Sequence, residues 1–183
     1  MGLLVNFGLF KAGWLSSVIG GAQQLPWLGP LAMLLVVSVH LYRARQPERE
    51  LALVLACGFI GALFDSVLVA SGAVTYPSGL FVESMAPYWI ISMWMLFATT
   101  LNVSLRWLRD RYVLAAVLGA VAGPLAYLGG AKLGGIVFLD RSAGLAALAV
   151  GWGLIMPVLV LLAQRLDGMH GSTNVEPLGA GAS

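Results

Sequence analysis

Asp65 raises the first chemical question, because it stands inside the long apolar run Leu51–Ala73 of a chain that is 60% hydrophobic. A carboxyl group in hydrocarbon is costly, and it is retained where it binds a ligand, relays a proton or holds a partner in place. At 1.5 Å per residue, Asp65 lies ~21 Å from the arginine-flanked start of its segment. The same rise brings Ser17, Trp94, Tyr127 and Trp152 to about that level. Tyr127 is then the expected hydrogen-bond partner. Lys132, roughly 7 Å further out with a stem able to reach back, is the expected charge partner. The group is either a functional site or a structural residue tied to its polar neighbours, and the sequence leaves both open.

A second set of polar residues lies toward the other end of the apolar segments. Thr99, Asn102 and Arg106 share one helical stripe by their i, i+3, i+7 spacing, and Lys11 falls at a similar depth in the first segment. Together these donors could hold a phosphate or carboxylate headgroup. The plainer reading makes Lys11, Arg106 and Lys132 anchors that extend along the chain toward the interface. His40 reads as an interfacial residue. Trp14, Trp27, Trp89, Trp107 and Trp152 fall mostly near segment ends, as an aromatic belt would.

Several chemistries are absent from the sequence. Cys57 and two histidines do not make a protein-built metal centre, and no cofactor is expected. A lone cysteine allows no internal disulfide. No phosphate-binding loop, G-x-S-x-G elbow, H-E-x-x-H helix or histidine-rich di-iron cluster occurs. Asp65 and Ser66 are adjacent on a helix and point different ways, so they form no catalytic dyad. The net charge of +2 resides in short connections and does not point to nucleic acid.

These residues need a scaffold, and the composition names its solvent. Only 10% of the residues are charged and the mean hydropathy is +0.90, against roughly 25% charged in a soluble domain. Six helical segments are expected near 3–22, 27–42, 51–73, 87–107, 112–131 and 143–164. They form a single all-α transmembrane bundle over 1–166, with 167–183 a disordered cytoplasmic tail. Met1–Phe10 lacks the basic stretch that opens a signal peptide, and the first charge is Lys11, so cleavage there is not expected. Arg43, Arg45 and Arg49, then Arg106, Arg109 and Arg111, then Arg165 flank one side. Lys132 and Arg141 flank the other. The positive-inside rule therefore places both termini in the cytoplasm. Gly119-x-x-x-Gly123 followed by Pro124, and Gly151, Gly153 and Pro157, predict close packing and local irregularity in the last two segments.

Strings spread across four of the six segments carry a resemblance: Gly13-Trp14, Gly61-x-x-x-Asp65-x-x-Leu68, Trp94-x-x-Phe97-x-x-Thr100-Leu101-Asn102-x-Ser104-x-x-Trp107-Leu108, and Gly123-Pro124-x-x-Tyr127-x-x-Gly130-x-x-Leu133-Gly134. In these the chain resembles a family of small bacterial inner-membrane proteins catalogued as a domain of unknown function. The resemblance implies a multi-pass protein of the bacterial inner membrane with no established activity. It also implies a genomic setting close to fatty-acyl phospholipid modification, which inclines the expectation toward lipid. The first expectation is thus a protein that binds, presents or helps modify a phospholipid or acyl chain, with membrane lipid and membrane-bound lipid-modifying enzymes as partners. The second is a small proton-coupled transporter or channel that uses Asp65. The third is a membrane scaffold. The sequence assigns no reaction and no oligomeric state.

Overall fold

The computed structural model describes residues 2–170. Among them are six α-helices: α1 Leu3–Ala22, α2 Leu28–Arg43, α3 Pro47–Ala70, α4 Tyr88–Leu101, α5 Tyr112–Lys132 and α6 Arg141–Arg165. Two short strands, β1 Val74–Thr75 and β2 Val137–Phe138, pair antiparallel with Val74 opposite Phe138. The all-α expectation is borne out.

Local chemistry explains most boundaries. Pro47 opens α3 with Glu48 and Glu50 in its first turn, which suits the free N–H groups and positive dipole end of a helix. The Asp140 carboxylate accepts the Ala143 N–H at 2.9 Å and caps α6. Gly134, at φ +85°, lies just past the end of α5, and the Gly135 N–H returns to the Gly130 carbonyl. Pro124 and Pro157 sit inside helices that continue through them.

The helices alternate in direction. The starts of α1, α3 and α5 gather with the ends of α2, α4 and α6, as the contacts of Asn6 with Thr99, Arg45 with Gly168, and Tyr112 with Gln164 show. This end carries Arg43, Arg45, Arg49, Arg106, Arg109, Arg111 and Arg165 and is called here the arginine end. The opposite, far end holds the β1–β2 ladder and the α1–α2 turn. Helix α4 packs against α1, α2 and α3, while α5 packs mainly on α6. Glycine makes the close approaches possible. A Cβ on Gly61 would collide with the Trp94 ring, and one on Gly119 or Gly123 would collide with Trp152. The packing expected of the Gly119–Gly123 pair is therefore present.

Four helices, α1, α3, α5 and α6, are long and apolar enough to cross a membrane. Their outer faces expose rows of large apolar side chains, such as Leu55, Phe59, Leu63 and Val67 on α3 and Val150, Leu154 and Val158 on α6. Rows of that extent suit hydrocarbon better than water. At 1.5 Å per residue, α2 and α4 measure only ~24 Å and ~21 Å.

The largest departure from expectation is at α4, which stops at Leu101 instead of running to Trp107. Residues Asn102–Leu105 turn, and Arg106–Leu108 form a single 3-10 turn. The Val103 and Leu105 N–H groups both return to the Thr100 carbonyl, closing a turn after Leu101 where the helix would otherwise continue. Asp167 and Gly168 are held against the arginine end, so the expectation of disorder from 167 fails for 167–170, and 171–183 lie outside the described residues.

Candidate functional site

The buried face of α3 reads Glu50, Leu53, Val54, Cys57, Gly58, Gly61, Asp65 and Leu68. That helical stripe presents two carboxyl groups to the interior, one near each end of the bundle. Both are fully buried.

At Asp65, three donors converge. The Tyr76 hydroxyl donates to Oδ1 at 2.7 Å, the Tyr127 hydroxyl donates to the same oxygen at 2.6 Å, and Trp94 Nε1–H donates to Oδ2 at 2.6 Å. Each comes from a different element: the loop after β1, α5 and α4. Trp94 is held by a parallel stack on Trp152, with ring centroids 4.4 Å apart and 12° between planes, and by the edge of Phe64. Three charge-assisted hydrogen bonds can hold a carboxylate where lipid excludes water. The arrangement joins α3, α4, α5 and the far loop at one point.

Beside this node lies an opening in the bundle. A cavity of about 360 Å³ separates α1 from α5, with Phe10, Trp14, Phe97, Trp152 and Met156 among the residues that line it. Its wall is overwhelmingly apolar, and it is partly open. Trp94 and Tyr127 belong to that wall, so Asp65 sits directly behind the cavity without lining it. The volume falls within the ~300–1,000 Å³ typical of small-molecule sites.

The second carboxyl group organises the arginine end. Glu50 Oε1 accepts from Asn102 Nδ2 and from the Gly168 backbone N–H, both at 2.8 Å, and Oε2 meets His40 Nε2 at 2.8 Å. Asn102 Oδ1 accepts in turn from Arg109 Nη2 at 2.8 Å, and Arg109 also donates to Asp167 at 2.6 Å. Partial burial pushes the Asp167 carboxyl up. The hydrogen bonds from Arg109 and the His170 backbone, with the Arg109 charge, outweigh it and hold the group below its ordinary value. A carboxyl depressed in the folded state stabilises above its unfolded pKa and loses that contribution as pH falls through the folded one. Docking of Asp167–Gly168 should therefore persist at neutral pH and begin to loosen as pH falls past about 4. Hydrogen exchange at the Gly168 amide reads this, and Asp167→Asn should flatten the pH dependence.

Several expectations need correction. Tyr127 bonds Asp65 as expected, but Lys132 is exposed at the far end and forms no ion pair among the described residues. The Thr99–Asn102–Arg106 stripe is not assembled. The Thr99 hydroxyl donates to the Leu96 carbonyl within α4, Asn102 is engaged by Glu50 and Arg109, and Arg106 is exposed on the 3-10 turn. Lys11 lies apart from that group, on the cavity rim. His40 is wholly buried rather than interfacial, and Trp89 and Trp152 are interior packing residues rather than a belt. Glu50, Tyr76, Arg109 and Asp167 were missed. Among the described residues no cluster of metal-ligating side chains occurs.

A family model described as "Protein of unknown function (DUF2878)" matches residues 3–158. The chain belongs to the DUF2878 family. The stretch assigned to DUF2878 contains both buried carboxyl groups and every residue that lines the cavity, from Phe7 to Met156. Asp167, which straps the arginine end, falls beyond it. No curated protein and no solved structure is significantly similar to the chain.

Proposed function

We propose that this DUF2878 protein is a six-span protein of the bacterial inner membrane, with both termini cytoplasmic, that receives the acyl chain of a membrane lipid between α1 and α5. The single observation that carries the reading is the apolar cavity. It lies between two helices that do not pack extensively on each other and are both apolar enough to face lipid. An acyl chain sliding sideways from the bilayer meets aromatic and aliphatic side chains without crossing water. The rigid back wall, Trp94 stacked on Trp152 and tied to Asp65, keeps the space from closing.

The alternating helices, with seven arginines at one end, support the topology. The short helix α4 reaches that end through the turns of Asn102–Leu108, in which Asn102, Ser104 and Leu108 are buried. The proton-coupled reading receives less support. Asp65 is fully buried, both of its oxygens are bonded, and it does not line the cavity. Lipid-modifying enzymes remain the expected neighbours of a protein that holds an acyl chain.

Native mass spectrometry after mild extraction tests the proposal. Ala122 lines the cavity and is exposed, so Ala122→Trp should fill the space without disturbing the core. Wild type should retain a lipid-sized adduct, and Ala122→Trp should lose most of it. Equal retention by both proteins, or none by either, would count against an acyl-chain site.

A further inference from the structure

The apolar cavity carries one charge. Among its lining residues Lys11 is the only cation, and no acidic side chain lines it. Lys11 sits eight residues after the start of α1, ~12 Å along the helix, where an ammonium group is expensive unless it is paired. Among the described residues no carboxylate pairs with it. Its Nζ instead rests 5.6 Å from the Phe7 ring centre and 5.5 Å from that of Trp14, both on the same face of α1. Ring faces attract a cation only weakly. They orient Lys11 without neutralising it.

Of the other polar groups in the wall, the buried Trp152 N–H has no hydrogen-bond partner among the described residues, while three side chains are already engaged. Thr100 donates to the Phe97 carbonyl, Ser104 pairs with Asn6, and Tyr127 donates to Asp65. The cavity therefore presents a long apolar surface and one uncompensated positive charge. We infer that its ligand is an acyl chain bearing an oxyanion, with the carboxylate or phosphate at Lys11 and the chain along Phe10, Phe97, Trp152 and Met156. This rests on the acyl-chain reading and adds the charge of the head.

The full-length protein in neutral phosphatidylcholine nanodiscs provides the test, by displacement of a neutral fluorescent acyl probe. Palmitate at alkaline pH, its uncharged alcohol and phosphatidate are titrated against wild type, Lys11→Met, Lys11→Arg and Ala122→Trp. One or both acidic ligands should compete roughly tenfold or more better than the alcohol, the scale of a hydrogen bond to a charged group. Lys11→Met should remove that preference with alcohol competition unchanged, and Lys11→Arg should keep it. Whether palmitate or phosphatidate gains more identifies a free acid or a lipid phosphate as the source of the head. No acidic preference in wild type, or a preference that survives in Lys11→Met, overturns the inference. In that case alcohol competition abolished by Ala122→Trp would leave the acyl-chain reading intact. Competition that is absent, or insensitive to Ala122→Trp, would remove both.

Discussion

Asp65→Ala is expected to produce one of the two largest losses of stability in the protein, because a single change strands three buried donors. Tyr76, Tyr127 and Trp94 all direct hydrogen bonds at this carboxyl group, and each unsatisfied donor costs about 1–3 kcal/mol. The three belong to one network, so their costs do not simply add. Asp65→Asn should be intermediate. Its carbonyl oxygen can serve both tyrosines, but its NH2 then faces the Trp94 N–H, donor against donor. Thermal unfolding in detergent, followed by tryptophan fluorescence, should rank the proteins wild type, Asn, Ala. An Asp65→Ala protein within about 0.5 kcal/mol of wild type, the range of an ordinary surface change, would show that the node does not hold the bundle.

Glu50→Ala is expected to be comparably damaging at the arginine end. It removes the acceptor for Asn102 and the Gly168 N–H and leaves His40 buried with no carboxylate. Each buried donor left without its acceptor costs about 1–3 kcal/mol. The effect should also be local. Gly168 should exchange its amide hydrogen freely, and Arg109 should lose the ordered Asn102 that helps to orient it. Asn102→Ala should cost less, since Glu50 keeps His40 and Gly168. A Glu50→Ala protein with an unchanged midpoint and a protected Gly168 amide would contradict this description.

The sequence revealed depth better than direction. Helical rise alone brought Asp65, Trp94, Tyr127 and Trp152 to one level, and the structure joins all four through hydrogen bonds and a ring stack. Lys132 was placed at a reachable depth, but five residues after Tyr127 it points about 140° away around the helix. Glu50 lies fifteen residues before Asp65, within about 60° of the same face. That periodicity is legible, but Glu50 stands just before the apolar run that opens at Leu51, outside the expected segment. Tyr76 belongs to a loop that folds back over the end of α3, which no periodicity could show. Arg106 was read onto a helix that stops at Leu101, so Arg109 has the role at the arginine end. The cavity was not legible, because it depends on how far α1 stands from α5. The aromatic stripe Phe7, Phe10 and Trp14 on α1 was its only trace.

Photolabelling with a mid-chain diazirine fatty acid in native membranes tests the acyl-chain site most directly. Labelled positions should concentrate in the peptides carrying Phe7–Trp14 and Leu118–Tyr127, and Ala122→Trp should suppress them. Labelling spread evenly over outward-facing residues such as Leu55, Phe59 and Leu63 of α3, and unchanged by Ala122→Trp, would contradict it.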